Sequence, residues 1–159
     1  MSMSAQSIQV PRELELLKLL IGDWVVGIAL RTDDSQVVSG CGEMNAVEIL
    51  QIGINSEMTI RIDGYDEVLE NDLWSFDRKS GKVHLFSVTA DGDGHDHIGK
   101  LKDPNTIELS WKGKYEEEEL EENLTAKFVT KDQIELRETA RFEGKTRLTT
   151  DYIFKRKEV

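Results

Sequence analysis

The spacing of apolar residues changes once along this chain, at Gly22-Asp23-Trp24, and that change constrains the fold more than any other feature. Upstream, Leu14, Leu17 and Ile21 recur at helical spacing with Leu16 and Leu20 beside them, while Arg12, Glu13, Glu15 and Lys18 fall largely on other faces. Pro11 suits a first helical position, where the N–H it lacks would have no partner. Downstream the period is two, with Trp24, Val26, Ile28 and Leu30 alternating with Asp23, Val25, Gly27 and Ala29. A short helix with one face to bury therefore precedes a succession of strands.

Alternation and turn residues place the later strands. Met58, Ile60 and Ile62 share a face ahead of the turn-forming Asp63-Gly64. The stretches Leu69 to Phe76 and Val83 to Ala90 flank a polar connection ending in Gly81. Stripes follow at Ile107, Leu109 and Trp111; at Leu124, Ala126 and Phe128; at Ile134, Leu136, Ala140 and Phe142; and at Leu148, Tyr152 and Phe154. Roughly ten strands at spacings of about 8–12 residues read as an all-β sandwich or barrel. Consecutive hairpins, with no second helix to make a crossover, favour an up-and-down antiparallel β-barrel whose closure removes exposed strand edges. The short N-terminal helix then closes one end.

Length and charge bound the function classes. At 159 residues and 38% hydrophobic the chain supports one well-packed core, so a single domain over 1–159 is expected, with residues 1–10 as a flexible tail. The 31 acidic residues outweigh the 20 basic ones, giving a net charge of −11 that repels nucleic-acid phosphates and anionic headgroups. Neither nucleic acid nor membrane is an expected partner; a homodimer stays compatible. Cys41 is the only cysteine, which excludes an internal disulfide and a cysteine-built zinc site and fits a reducing compartment. The opening MSMSAQSIQV lacks the features of a secretory signal, and the apolar region Leu14 to Leu30 is interrupted by Lys18 and Asp23. A soluble cytoplasmic protein is the expectation.

Gly22-Asp23-Trp24 after a short helix, with Arg156 near the end of the last strand, resembles the calycin superfamily of lipocalins and fatty-acid-binding proteins. The resemblance implies a structural role for Gly22, Trp24 and Arg156: the tryptophan packs at the closed end and the late basic residue lies across its ring, a contact worth about 0.5–2 kcal/mol. Leu148, Thr150, Tyr152, Phe154 and Arg156 share a face, in keeping with it. From Leu14 to Lys157 the chain is most similar to small bacterial and archaeal calycin-like proteins of unknown function, through Gly22-x-Trp24, Gly64-Tyr65-Asp66, Trp74-x-x-Asp77 and Tyr152-x-x-x-Arg156. That group transfers a fold and no mechanism. The nitrobindin-like haem barrels hold iron through a histidine near the C-terminus, whereas no histidine follows His97 here. No haem by that route, and no other cofactor, is expected.

Candidate ligand-binding residues are those that alternation turns inward: Met58, Ile60, Trp74, Trp111, Glu138, Thr150 and Tyr152. Glu138 lies between Leu136 and Ala140 on an otherwise apolar face, where burial would raise its pKa unless a cation pairs with it. With Thr150 and Tyr152 it offers polar groups to orient a ligand's end in a mostly apolar pocket. His84, His95 and His97 share a short window with Asp91, Asp93 and Asp96. His95 and His97 on one side of a strand are weak candidates for a metal site. The Asp91-Gly92-Asp93-Gly94 run fails as a calcium loop, because aligning Gly94 with the loop glycine puts Thr89 and Lys100 at the first and last ligand positions. The preferred reading is a glycine-rich hairpin tip with solvated charges and no metal, and the acidic run Glu116 to Glu119 likewise reads as a solvated loop.

Phosphate-binding, dinucleotide-binding, zinc-protease and nucleophile-elbow signatures are absent, and no catalytic residue is assigned. Binding of a small, largely apolar molecule therefore ranks above catalysis. The alternatives are an enzyme using Glu138 and Tyr152 or the histidine cluster, and a filled barrel serving as an interaction or dimerisation module. An open lumen of about 300 Å³ or more would support binding, and closure by side chains the filled barrel.

Overall fold

A computed structural model describes residues 10–158. The expected flexible tail lies, apart from Val10, outside the described residues. Helix α1 (Arg12–Lys18) is followed by β1 (Gly22–Thr32), β2 (Val37–Ile49), β3 (Gly53–Ile62), β4 (Val68–Asp77), β5 (Lys82–Thr89), β6 (Gly94–Asp103), β7 (Thr106–Tyr115), β8 (Glu118–Thr130), β9 (Gln133–Phe142) and β10 (Lys145–Arg156). Each strand pairs antiparallel with its sequence neighbours, and β1 pairs with β10 to close an up-and-down barrel of ten strands. Closure leaves no unpaired edge. No helix among the described residues is long and apolar enough to cross a membrane.

The period-two pattern becomes an inside and an outside. Along β1, Trp24, Val26, Ile28 and Leu30 are buried, and Asp23, Val25 and Gly27 are exposed. The same alternation puts Ile54, Ser56, Met58 and Ile60 of β3 inside, with Leu124, Ala126 and Phe128 of β8. Leu14, Leu16, Leu17 and Leu20 are buried at the end of the barrel where the β2–β3, β4–β5, β6–β7 and β8–β9 turns lie. There Arg12 donates to Pro104 O and Asn105 Oδ1, both at 2.9 Å, and Lys18 meets Glu48 at 3.2 Å. Pro11 sits one residue earlier than its sequence position suggested, as the N-cap, its carbonyl accepting the first helical bond from Glu15 N.

Trp24 is fully buried and donates its indole N–H to Leu20 O at 2.7 Å. The Arg156 guanidinium lies over the ring, its central carbon 4.2 Å from the centroid. Its N–H groups donate to Ile21 O, Leu19 O, Lys131 O and Asp132 Oδ1, tying the end of the helix to the β8–β9 turn. Gly22 has φ +125°, and a Cβ placed there would fall 2.5 Å from Arg156 Nη1. Gly22→Ala is therefore expected to cost about 1–3 kcal/mol through backbone strain and displacement of the guanidinium. Urea denaturation checks this, and an unchanged midpoint would refute it.

Two expectations are corrected. The acidic run is solvated but only half a loop: Glu116, with φ +54°, and Glu117 form an exposed turn, whereas Glu118 already opens β8, where it pairs with Tyr115. Arg147 and Lys112, at 3.1 Å from Glu118 and 3.3 Å from Glu121, relieve the crowding of negative charge. The hairpin tip after β5 is the glycine-rich turn with exposed charges that the sequence suggested, but the two histidines are not solvated with it. It turns at Gly92, with Thr89 N bonding Asp93 O, so His95 and His97 belong to β6 rather than to the tip.

Candidate functional site

The lumen is divided into two layers by strand register. Toward the helix-capped end its wall is apolar, with Leu20, Trp74, Leu85, Ile134 and Phe154. Toward the other rim, β4 contributes Glu70 and Asp72, β5 Ser87, β6 His95 and His97, β8 Glu122 and β9 Glu138. Ladder pairing makes these a band: Asp72 is opposite Ser87, Ser87 opposite His95, Trp111 opposite Glu122, and Leu124 opposite Glu138. Between the layers is a cavity of about 180 Å³. That is smaller than the sequence criterion for an open lumen, yet it is not filled.

His95 Nε2 and His97 Nε2 converge on one oxygen, Glu122 Oε2, at 2.7 and 3.0 Å. The two imidazoles lie 4.8 Å apart at 59°. Trp111 backs the pair, stacked on His95 at 4.0 Å, and its indole lies across its own strand above Gly113, where a Cβ would come within 2.2 Å of the ring. His97 is 3% exposed. The solvated reading of both histidines is thereby corrected, since the β6 alternation that puts Asp96 and Ile98 on the outer face turns them inward. His84, on the opposite face, pairs with Asp96 at 2.9 Å. Among the described residues, His95, His97 and Glu122 are the group able to hold a metal ion, with donor atoms within 4.8 Å of one another.

Across the cavity, Ser87 donates to Asp72, and Glu70 precedes Asp72 by two positions on the same face of β4. Tyr152 OH reaches Glu138 Oε2 at 3.5 Å, the outer limit of a hydrogen bond. No lysine or arginine lines the cavity among the described residues. Burial, reinforced by the Asp72 carboxyl, pushes Glu70 up to about 9. Burial and then the Glu122 charge push Glu138 up to about 7. Burial raises Asp72 against the hydrogen bond from Ser87, and raises the Tyr152 hydroxyl well above its usual range. Burial acts on Glu122 in the same sense, but the His97 hydrogen bond and the charges of both imidazoles outweigh it and hold that carboxyl low. Near neutral pH the wall thus combines an ionised Glu122, a protonated Glu70 and a Glu138 close to half-titration.

Of the ligand-binding residues expected from sequence, Met58, Trp74, Glu138 and Tyr152 line this cavity together. Ile60 and Thr150 are buried and inward-facing but do not line it. Ile60, one inward position nearer the rim than Met58, is buried in the same core cluster as Ile28, on the side where β1 contributes no cavity wall. Trp111 supports His95 rather than facing the open space. Sequence reasoning passed over Glu70, Asp72 and Glu122. Their signal is phase: Glu70 and Asp72 alternate in step with Trp74 and Phe76, and Glu122 in step with Leu120, Leu124, Ala126 and Phe128.

No family model matches the sequence, and no curated protein matches it by sequence comparison. The fold is shared more widely. An S-type phycobiliprotein lyase, CpeS from Guillardia theta, superposes with a TM-score of 0.67 at 13% identity, covering 91% of this chain and 92% of its own. Rv2717c from M. tuberculosis superposes with a TM-score of 0.70 at 15% identity, covering 94% of this chain and 100% of its own. The chain has the calycin-like barrel fold.

Proposed function

We propose that this chain binds one small molecule in its lumen, with an apolar body toward Trp74 and Phe154 and a hydrogen-bond-donating end against the carboxyl band. The carrying observation is the two-layered cavity of about 180 Å³. Apolar cavities of about 150 Å³ take benzene-sized guests, whereas pockets for drug-sized ligands run about 300–1,000 Å³. The size therefore favours a single small ring or short chain. The chemistry of the wall revises the largely apolar ligand expected from sequence: five carboxyls, from Glu70, Asp72, Asp93, Glu122 and Glu138, favour a guest that donates and disfavour an anion. The likeness to a phycobiliprotein lyase supports a barrel with a usable lumen, but at 13% identity it does not bring an activity with it.

The expected result, by calorimetric or NMR titration of metal-free protein, is that phenol binds at least about tenfold tighter than benzoate, a difference of about 1.4 kcal/mol. Ala126→Leu, which adds volume to a lining residue that is 1% exposed, should weaken phenol binding while leaving the fold intact. Equal affinity for the two probes, or indifference to Ala126→Leu, would remove the lumen reading. A catalytic reading draws on Glu138, whose pKa of about 7 suits proton transfer near neutral pH. Under that reading Glu138→Gln abolishes turnover of a bound guest without abolishing its binding.

A further inference from the structure

Two histidines at alternate positions of one strand and a glutamate two strands away present three donor atoms to a single point. Both Nε2 atoms already lie 2.7 and 3.0 Å from Glu122 Oε2. Ligands bound to a tetrahedral zinc at 2.0–2.1 Å are about 3.3 Å apart, so these two separations need open by about 0.3–0.6 Å to admit an ion. The third separation falls within the 4.8 Å that spans the set. The backing is rigid, because Trp111 stacks on His95 and β6 holds both imidazoles in phase.

Proton bookkeeping gives a second, independent indication. If both imidazoles are neutral and donate through Nε2 to Glu122, both Nδ1 atoms are left as acceptors. Each of those Nδ1 atoms is buried without a hydrogen-bond partner. If instead the protons sit on Nδ1, two Nε2 lone pairs face a carboxylate oxygen, which is repulsive unless a cation lies between. His95 Nδ1 would then point to Asp93 Oδ1, 3.7 Å away, a carboxylate placed like the outer partner that orients a metal-bound histidine. The cavity wall adds carboxyls and no lysine or arginine, so apart from the two imidazoles no side chain there offsets the carboxyl charge.

We propose that His95, His97 and Glu122 form a binding site for one divalent transition-metal ion of the zinc class, held by two imidazole nitrogens and one carboxylate with its remaining position facing the lumen. The donor set is nitrogen-rich, which favours zinc, cobalt or iron(II) over calcium or magnesium. Three protein ligands leave room for a water or for the polar end of a guest. The inference rests on the lumen admitting solutes, as proposed above, but not on the identity of any guest.

The test uses the full chain stripped with a chelator and titrated with Zn²⁺ by calorimetry, then with Co²⁺ read by its visible absorption, which reports coordination geometry directly. One equivalent should bind with a Kd of about 1 µM or tighter. His95→Ala with His97→Ala should weaken it by at least about 100-fold, and so should Glu122→Gln, which keeps the size of the side chain. His84→Ala, on the outer face, should change nothing. No saturable binding below about 100 µM, or binding that survives loss of both inward histidines, overturns the site and leaves the hydrogen-bonded His-Glu-His cluster as purely structural. Because Glu122→Gln is close to isosteric, its circular dichroism and melting curve keep a folding failure from passing as loss of a ligand. Phenol binding measured in parallel separates the two readings: phenol without zinc sinks only the metal site, and zinc without phenol sinks only the guest.

Discussion

Trp24→Ala is expected to lower the unfolding free energy by about 3–5 kcal/mol, a large part of the 5–15 kcal/mol typical of a domain. Three losses coincide. The ring is 0% exposed, so its removal leaves a cavity among Leu16, Leu17, Leu20 and Phe154 that the closed barrel end cannot readily fill. Leu20 O loses the indole donor that it accepts at 2.7 Å. Arg156 loses the surface over which it is stacked at 4.2 Å while it still reaches the Ile21, Leu19 and Lys131 carbonyls. Trp24→Phe separates these terms, since it keeps an apolar ring and deletes the N–H. A cost of about 1–2 kcal/mol is expected for it, the range for a buried hydrogen bond with some loss of packing. Urea denaturation followed by circular dichroism measures both. A loss below about 1 kcal/mol for Trp24→Ala would show that the ring is not the keystone of the closed end.

The same end of the barrel was legible in the sequence because its parts are local and periodic. The step from helical spacing to alternation at Gly22, and the phase of the strand from Leu148 to Arg156, put Trp24 and Arg156 inside without knowledge of any long-range contact. Ladder closure follows from hairpins with short turns, and β1 meets β10 with Trp24 opposite Arg156. The candidate site was only half legible. Glu138 stood out as a charge between apolar neighbours, whereas Glu122 was hidden in an acidic run whose composition suggests a solvated loop. Phase carried more information than composition there, because tertiary pairing with β7 and β9 overrode the repulsion of the run. That His95 and His97 face Glu122 across β7 depends on barrel curvature and on Trp111 folding over Gly113, and no local pattern encodes either. The choice of which inward residues bound open space, Met58 rather than Ile60, was equally out of reach, since it depends on how side chains from opposite walls fill the lumen.

Stability of the metal-free protein is expected to fall as pH rises from 5 to 8, and the carboxyl band is the reason. Glu138 and Glu70 are acids whose folded-state values, about 7 and about 9, lie above the ordinary 4.5. The folded chain therefore binds these protons more tightly than the unfolded chain. Their favourable contribution is fully present below about pH 4.5, declines as the unfolded groups ionise, and is lost as pH passes the folded values. For Glu138 the interval from 4.5 to about 7 corresponds to about 2–3 kcal/mol, allowing for its incomplete burial. Carboxyls held low act elsewhere: Asp151, bonded by Arg137 and Arg31, contributes a slope of opposite sign at more acid pH. Glu138→Gln cannot ionise, and so should make the profile shallower between pH 5 and 7, leaving the slope due to Glu70, and exceed the parent chain by about 2 kcal/mol at pH 8. Urea titrations of both chains at each pH, with a chelator present so that no cation neutralises the band, decide the matter. Parallel profiles would mean that Glu138 is solvated in the folded chain, and that the lumen wall is open to bulk water rather than enclosing a site.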